Sequence, residues 1–208
     1  MTVTHSPHID LAGDLRGFFK EVLLEALAER RVEVTEVTAQ YLVALLTAFA
    51  HPDELSQQSL ERPLPLLLEE ALSSVGGERF ERLRSLGDTV LYTSGFFVDH
   101  LETRGVQLTY VQTMGARAYG SAASMLRARG ATDAVGAPAL FEELADKFGR
   151  CAEVLGRVAD GLYATSQLAS HSGALKLYER WLRTGSAPLA AALAARGMTP
   201  SRGAGGLH

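Results

Sequence analysis

Residues 141–162 read FEELADKFGRCAEVLGRVADGL, and this stretch decides the fold class. Apolar residues recur there at alternating intervals of three and four positions, which places them on one stripe of an α-helix. A β-strand would instead alternate with a period of two. The stretch therefore predicts a long central helix, over about 138–166, in an all-α protein. The stripe consists of Phe141, Leu144, Phe148, Cys151, Leu155, Val158 and Leu162.

A second stripe of the same helix carries only small residues. Alanine and glycine at intervals of three and four allow the backbone of a neighbouring helix to approach closely. Each glycine costs about 0.8–1 kcal/mol in helix propensity, so close packing is the expected reason for placing glycine there. We therefore expect the central helix to contact at least two others. The second stripe consists of Ala145, Gly149, Ala152, Gly156 and Ala159.

The same reasoning predicts helices along the rest of the chain, so that residues 9–197 form a single-domain bundle of seven to eight helices. Residues 1–8 and 198–208 are expected to be flexible. Only a few residues around Gly105 separate two long helical segments, so these should form an antiparallel hairpin. The predicted helices, besides the central one, lie at about 7–30, 35–50, 66–74, 78–103, 108–129, 174–183 and 186–196.

The composition of the chain favours a globular protein over a membrane-spanning or secreted one. Hydrophobic residues make up 47% of the 208 residues and charged residues 21%, as in ordinary globular domains. The longest apolar stretch, Tyr41–Ala50, is shorter than the roughly 20 residues of a membrane span. The N-terminus lacks a signal-peptide pattern, and Cys151 is the single cysteine. These features favour a cytoplasmic protein, and the few lysines with many alanines favour a bacterial source.

The charge distribution bears on possible partners. The net charge of −4 argues against nucleic acid as a main partner, because such binding relies on a basic surface. Residues 1–104 carry 9 basic and 17 acidic side chains, net −8, and residues 105–208 carry 11 and 7, net +4. The two oppositely charged halves could attract each other within one fold, or the acidic half of one copy could attract the basic half of another. In the third alternative these charges only face solvent.

The predicted hairpin of residues 78–129 is the strongest candidate for a binding site. Tyrosines there border faces rich in Met, Gly and Ala, which is one way to line a small-molecule cleft between helices. Core tyrosines whose hydroxyl groups reach water or a carbonyl would show the same pattern. The candidate ligand-binding residues are Tyr92, Asp99, His100, Tyr110, Gln112 and Tyr119.

No catalytic or cofactor motif accompanies this candidate site. Gly115–Ser121 has the outline of a phosphate loop but lacks its lysine and the preceding strand. Paired Glu-x-x-His motifs, zinc-ligand spacing and the Gly-x-Ser-x-Gly elbow are all missing. We therefore predict no catalytic residue and no metal ligand, and the sequence identifies no cofactor.

Two functions remain as hypotheses. Abundant packing signals without catalytic ones favour a non-enzymatic interaction or regulatory protein that self-associates as a twofold dimer, the commonest oligomer. A further protein partner is compatible with this hypothesis. The alternative is a small-molecule or cofactor binder, with an enzyme included in this class, that uses the tyrosine-lined cleft.

Overall fold

The computed structural model describes residues 11–50, 63–103, 105–130, 138–167, 173–198 and 200–201. These residues form helices and connections without a strand, which confirms the all-α prediction. The predicted flexible segment 1–8 and most of 198–208 lie outside the described residues. The helices are α1 Leu11–Arg30, α2 Glu36–Phe49, α3 Leu64–Ser73, α4 Gly76–Phe96, α5 Val98–Thr103, α6 Leu108–Ala128, α7 Pro138–Asp146, α8 Phe148–Gln167, α9 Gly173–Thr184 and α10 Ala187–Ala194.

Two helices predicted as continuous are each interrupted once. The segment 78–103 breaks at Phe97, between α4 and α5, and the central segment breaks at Lys147, between α7 and α8. The second break is slight, because Lys147 N still donates to Glu143 O and Cys151 N to Lys147 O, at 2.9 and 2.8 Å. With each interrupted pair counted once, the described residues hold eight helices, in line with the predicted seven to eight.

Contacts between residues divide the chain into two compact units, residues 1–155 and 156–208. In the first unit α4 packs on α6, and α6 packs on α7. A Cβ on Gly87 would lie 2.5 Å from the Tyr119 ring, and one on Gly115 would lie 2.8 Å from Val90. Gly87 of α4 is thus close to Tyr119 of α6, and Val90 of α4 is close to Gly115 of α6. Residue numbers rise along α4 as they fall along α6, so these two helices are antiparallel, as predicted.

The apolar stripe of the central segment is largely buried. Its first six residues are buried, and only Leu162, near the end of α8, is partly exposed. In the small-residue stripe Ala152 and Ala159 are buried, and the other three members are partly buried. The helical spacing of the predicted segment 78–103 places Phe97 on its core face. This prediction was wrong: the Phe97 side chain is exposed, because the helix is interrupted at this residue.

The second unit has a small core of its own. Trp181 and Leu177 of α9 pack with Leu189 and Leu193 of α10 and with Ala164 of α8. Arg180 Nε donates to Asp160 Oδ1 at 2.7 Å and thereby pairs the buried carboxylate. Gly185 and Gly197 come just after two predicted helices, 174–183 and 186–196, which predicts that they are left-handed helix ends. Their φ values of 63° and 75° confirm this.

Along the described residues, no helix combines the length and hydropathy that crossing a bilayer requires.

Candidate functional site

A largely buried carboxylate, Asp88, lies where three helices of the first unit meet. Asp88 Oδ1 accepts hydrogen bonds from the hydroxyl groups of Tyr41 and Tyr119, at 2.5 and 2.7 Å. Asp88 Oδ2 accepts one from Arg84 Nη1 at 3.1 Å. These residues, which we call the Asp88 cluster, come from α2, α4 and α6, so the cluster joins the three helices through one side chain.

The electrostatics of the Asp88 cluster favour a structural role. Burial raises the pKa of Asp88, although the two tyrosine hydroxyl groups and Arg84 act in the opposite direction. Burial and the Asp88 carboxylate also raise the pKa of Tyr41 and Tyr119, so both hydroxyl groups stay protonated and donate. The Asp88 side chain is only 14% exposed and both its oxygens are bonded. The cluster therefore offers neither a free base nor a nucleophile.

The six candidate ligand-binding residues occupy different environments. Tyr119 is fully buried in the Asp88 cluster. Tyr92 stacks against Phe49 and Phe96, with ring centroids 4.3 and 4.5 Å apart. Tyr110, near the start of α6, is 47% exposed. The structure thus places Tyr92 in an aromatic cluster and Tyr119 in a polar one.

The remaining three candidates lie on α5 and α6. Gln112 is partly buried, and its Oε1 is 3.4 Å from where a Cβ on Gly149 would lie. Asp99 is a partly buried residue of α5. His100 belongs to the same helix, but its side chain lies outside the described residues. A shared cleft for all six residues stays a prediction.

The sequence did not predict Tyr41 and Arg84 as members of the Asp88 cluster. The helical spacing of the predicted segment 78–103 places Asp88 on the face opposite the core face. One signal was available, because Arg84 and Asp88 are four residues apart and form an ion pair along α4. Tyr41 carried no comparable signal, since it is 47 residues away from Asp88.

A groove with an apolar lining lies between α1 and α2 in the first unit. Its volume is about 600 Å³, within the range of small-molecule sites. Cavities of about 570 and 390 Å³ lie elsewhere in this unit, and none of these three is lined by a candidate ligand-binding residue. The apolar lining of the α1–α2 groove comprises Leu23, Leu24, Leu27, Val32, Val34, Ala39 and Val43.

The two ends of this groove carry opposite charges. Arg16 and Lys20 line it along the N-terminal half of α1, whereas Glu33 and Glu36 line it at the start of α2. All four residues are exposed. Within the part of the chain that the structure describes, neither basic side chain has an ion pair. The groove therefore has an apolar floor, a basic end and an acidic end.

Hydrogen bonds from the central helix hold the acidic end in place. Glu143 accepts hydrogen bonds from Thr35 N and Oγ1 and from Thr38 Oγ1, with the two hydroxyl bonds at 2.7 and 2.6 Å. Lys147 Nζ donates to Glu33 O at 2.8 Å, and Arg150 Nη2 donates to two carbonyl groups at the end of α1. Thr35 opens the predicted helix 35–50, and its hydroxyl group predicts an N-cap. The structure confirms Thr35 as the N-cap of α2.

The described residues contain no group of three or more His, Cys, Asp or Glu side chains arranged to hold a metal ion. Comparison of the chain with protein-family models, with curated proteins and with solved structures gives no match.

Proposed function

We propose that this protein is a non-enzymatic helical interaction protein that self-associates. The observation that carries the proposal is the α1–α2 groove, which combines an apolar floor with a charged rim of both signs. Interaction sites between proteins commonly have an apolar centre surrounded by a polar border. An amphipathic helix bound in such a groove would cover its apolar lining.

The chemistry of the buried polar groups agrees with a role other than catalysis. The Asp88 cluster uses its carboxylate and both hydroxyl groups for internal hydrogen bonds. Burial raises the pKa of the Cys151 thiol to about 12, which makes it a poor nucleophile at neutral pH. As part of the proposal we place the protein in a bacterial cytoplasm, where a buried single cysteine stays reduced.

Native mass spectrometry and light scattering over a concentration series test self-association directly. We expect a species of twice the 22.3 kDa chain mass that dissociates on dilution. A second protein partner would then be sought with the dimer as the bait. A monomer at every concentration would contradict the proposal.

The same groove supports a second candidate function, the binding of an anionic single-chain amphiphile. The specific observation is that Arg16 and Lys20 stand four residues apart on α1, at one end of an apolar lining. A carboxylate headgroup would pair with these cations while the alkyl chain covers the leucines. Titration with dodecanoate tests this function, with dodecanol as the uncharged control.

We expect the Arg16→Gln/Lys20→Gln variant to lose dodecanoate binding under this second function. The matched control is Lys176→Gln on α9, where an exposed lysine stands beside an exposed leucine, Leu175. Equal loss of binding in both variants, or equal binding of dodecanol, would indicate non-specific adsorption and exclude the second function.

A further inference from the structure

We infer that the partner bound in the α1–α2 groove is the same groove of a second copy, related by a twofold axis near Leu24. This inference rests on the proposed self-association and names the surface and the symmetry. A twofold interface uses the same patch on both copies, so the patch must be complementary to itself. The charges at the two ends of the groove meet that requirement.

The separation of the charged ends follows from helix geometry. Arg16 and Lys20 precede the end of α1, Arg30, by 14 and 10 residues. At 1.5 Å per residue this places them about 21 and 15 Å from the turn that leads to Glu33 and Glu36. The connection to α2 is five residues long, so the two helices run antiparallel and both acidic residues stay at the far end of the groove.

A twofold rotation near the middle of the groove exchanges its ends. The basic end of each copy then faces the acidic end of the other, which gives two equivalent charged contacts. A parallel arrangement would instead place basic against basic and acidic against acidic, which is unfavourable between desolvated surfaces. Charge complementarity therefore favours the antiparallel, closed dimer over a parallel one.

Leu24 provides the apolar contact at the centre. It lines the groove, lies one turn beyond Lys20 and is 48% exposed, whereas Leu23 and Leu27 beside it are buried. Near the twofold axis the two Leu24 side chains would meet and cover each other. The acidic end needs little rearrangement, because Glu143, Lys147 and Arg150 already hold the connection between α1 and α2.

The first test replaces this central contact. We expect Leu24→Asp to weaken dimerisation at least about tenfold, because it puts two like charges at the axis. The matched control is Leu66→Asp on α3, which is also 48% exposed but lies outside the groove, and which should leave the dimer unchanged. Circular dichroism of both variants verifies that the helices are intact.

The second test reverses the charge at each end of the α1–α2 groove in a separate variant. The variant Arg16→Glu/Lys20→Glu has two acidic ends, and the variant Glu33→Lys/Glu36→Lys has two basic ends. We expect each to be monomeric at concentrations at which the natural chain is dimeric. Mixed in equal amounts, they should form a heterodimer, which native mass spectrometry recognises because the two variants differ in mass.

The outcomes separate this inference from the proposed function. A natural chain that is always monomeric contradicts self-association itself. A dimer that survives Leu24→Asp contradicts the groove as the interface but leaves self-association intact. Loss of the dimer with Leu24→Asp, without recovery on mixing the two charge variants, contradicts the antiparallel pairing of the ends.

Discussion

Glu143 joins two segments that are far apart in sequence, the start of α2 and the central helix. Its carboxylate accepts hydrogen bonds from Thr35, Thr38 and Lys147, and the two threonines are more than 100 residues away in the sequence. Partial burial acts to raise its pKa, but the hydrogen bonds from Thr38, Lys147 and Thr35 outweigh burial and lower the pKa from 4.5 to about 2. The ionised form therefore stabilises the folded state.

At the residue scale we predict that Glu143→Gln lowers the free energy of unfolding at neutral pH. Because the folded pKa lies below the unfolded one, the unfolded natural chain binds the proton first as the pH falls from 4.5 to about 2. The natural chain loses the carboxylate contribution over this window and the variant does not, so their difference should shrink towards pH 2. Urea unfolding followed by circular dichroism at several pH values measures this.

The control for that experiment is Glu153→Gln, an exposed glutamate on α8. Its effect on unfolding should be small and should change little over the same pH window. A constant difference between the natural chain and Glu143→Gln at every pH would show that the Glu143 charge contributes nothing.

At the scale of elements, α6 can approach its neighbours because it carries glycine where they touch it. A Cβ added to Gly115 would overlap the Phe148 ring and lie 2.8 Å from Val90 Cγ1. Gly120, in the same helix, has only the Ala145 Cβ nearby, at 3.9 Å. The two glycines therefore have different reasons for their positions, although both lie in one helix.

We predict that Gly115→Ala destabilises the protein by about 1–3 kcal/mol, because the added methyl group displaces buried side chains. In contrast, Gly120→Ala should be neutral or stabilise by up to about 1 kcal/mol, since it removes a glycine from a helix interior without a clash. Thermal unfolding of the two variants and the natural chain compares them. Equal effects of both substitutions would mean that Phe148 and Val90 do not pack closely against Gly115.

On the scale of the whole molecule, the chain forms two compact units of unequal size. The smaller one, residues 156–208, has its core around Trp181, the single tryptophan. Small units bury a smaller fraction of their surface and are correspondingly less stable. Trp181 fluorescence therefore reports on the smaller unit, whereas far-ultraviolet circular dichroism reports on all helices.

We predict that the Trp181 fluorescence transition occurs at a lower urea concentration than the circular dichroism transition. Leu189→Ala removes a buried side chain from the core of the smaller unit. It should lower the urea midpoint of the fluorescence transition further, and it should shift the midpoint of the main circular dichroism transition much less. Coincident transitions in the natural chain and the variant would show that the two units unfold as one.

The helices could be predicted because their signals are local. The stripe from Phe141 to Val158, the N-cap at Thr35 and the terminal glycines Gly185 and Gly197 each depend on residues a few positions apart. The interruptions at Phe97 and Lys147 were missed, because the apolar spacing continues across both positions. Periodicity records which residues face inward but not how the backbone bends between them.

The sequence by itself determined the all-α class, the antiparallel hairpin and the buried stripe of the central helix, since these follow from helical periodicity and short connections. Only the tertiary structure decided which polar residues meet. Tyr41 and Tyr119 lie 47 and 31 residues from Asp88 in the sequence, and the three residues converge because three helices pack at one point. The α1–α2 groove likewise exists only once two amphipathic helices are packed, because a concave surface is a property of their arrangement and not of either segment.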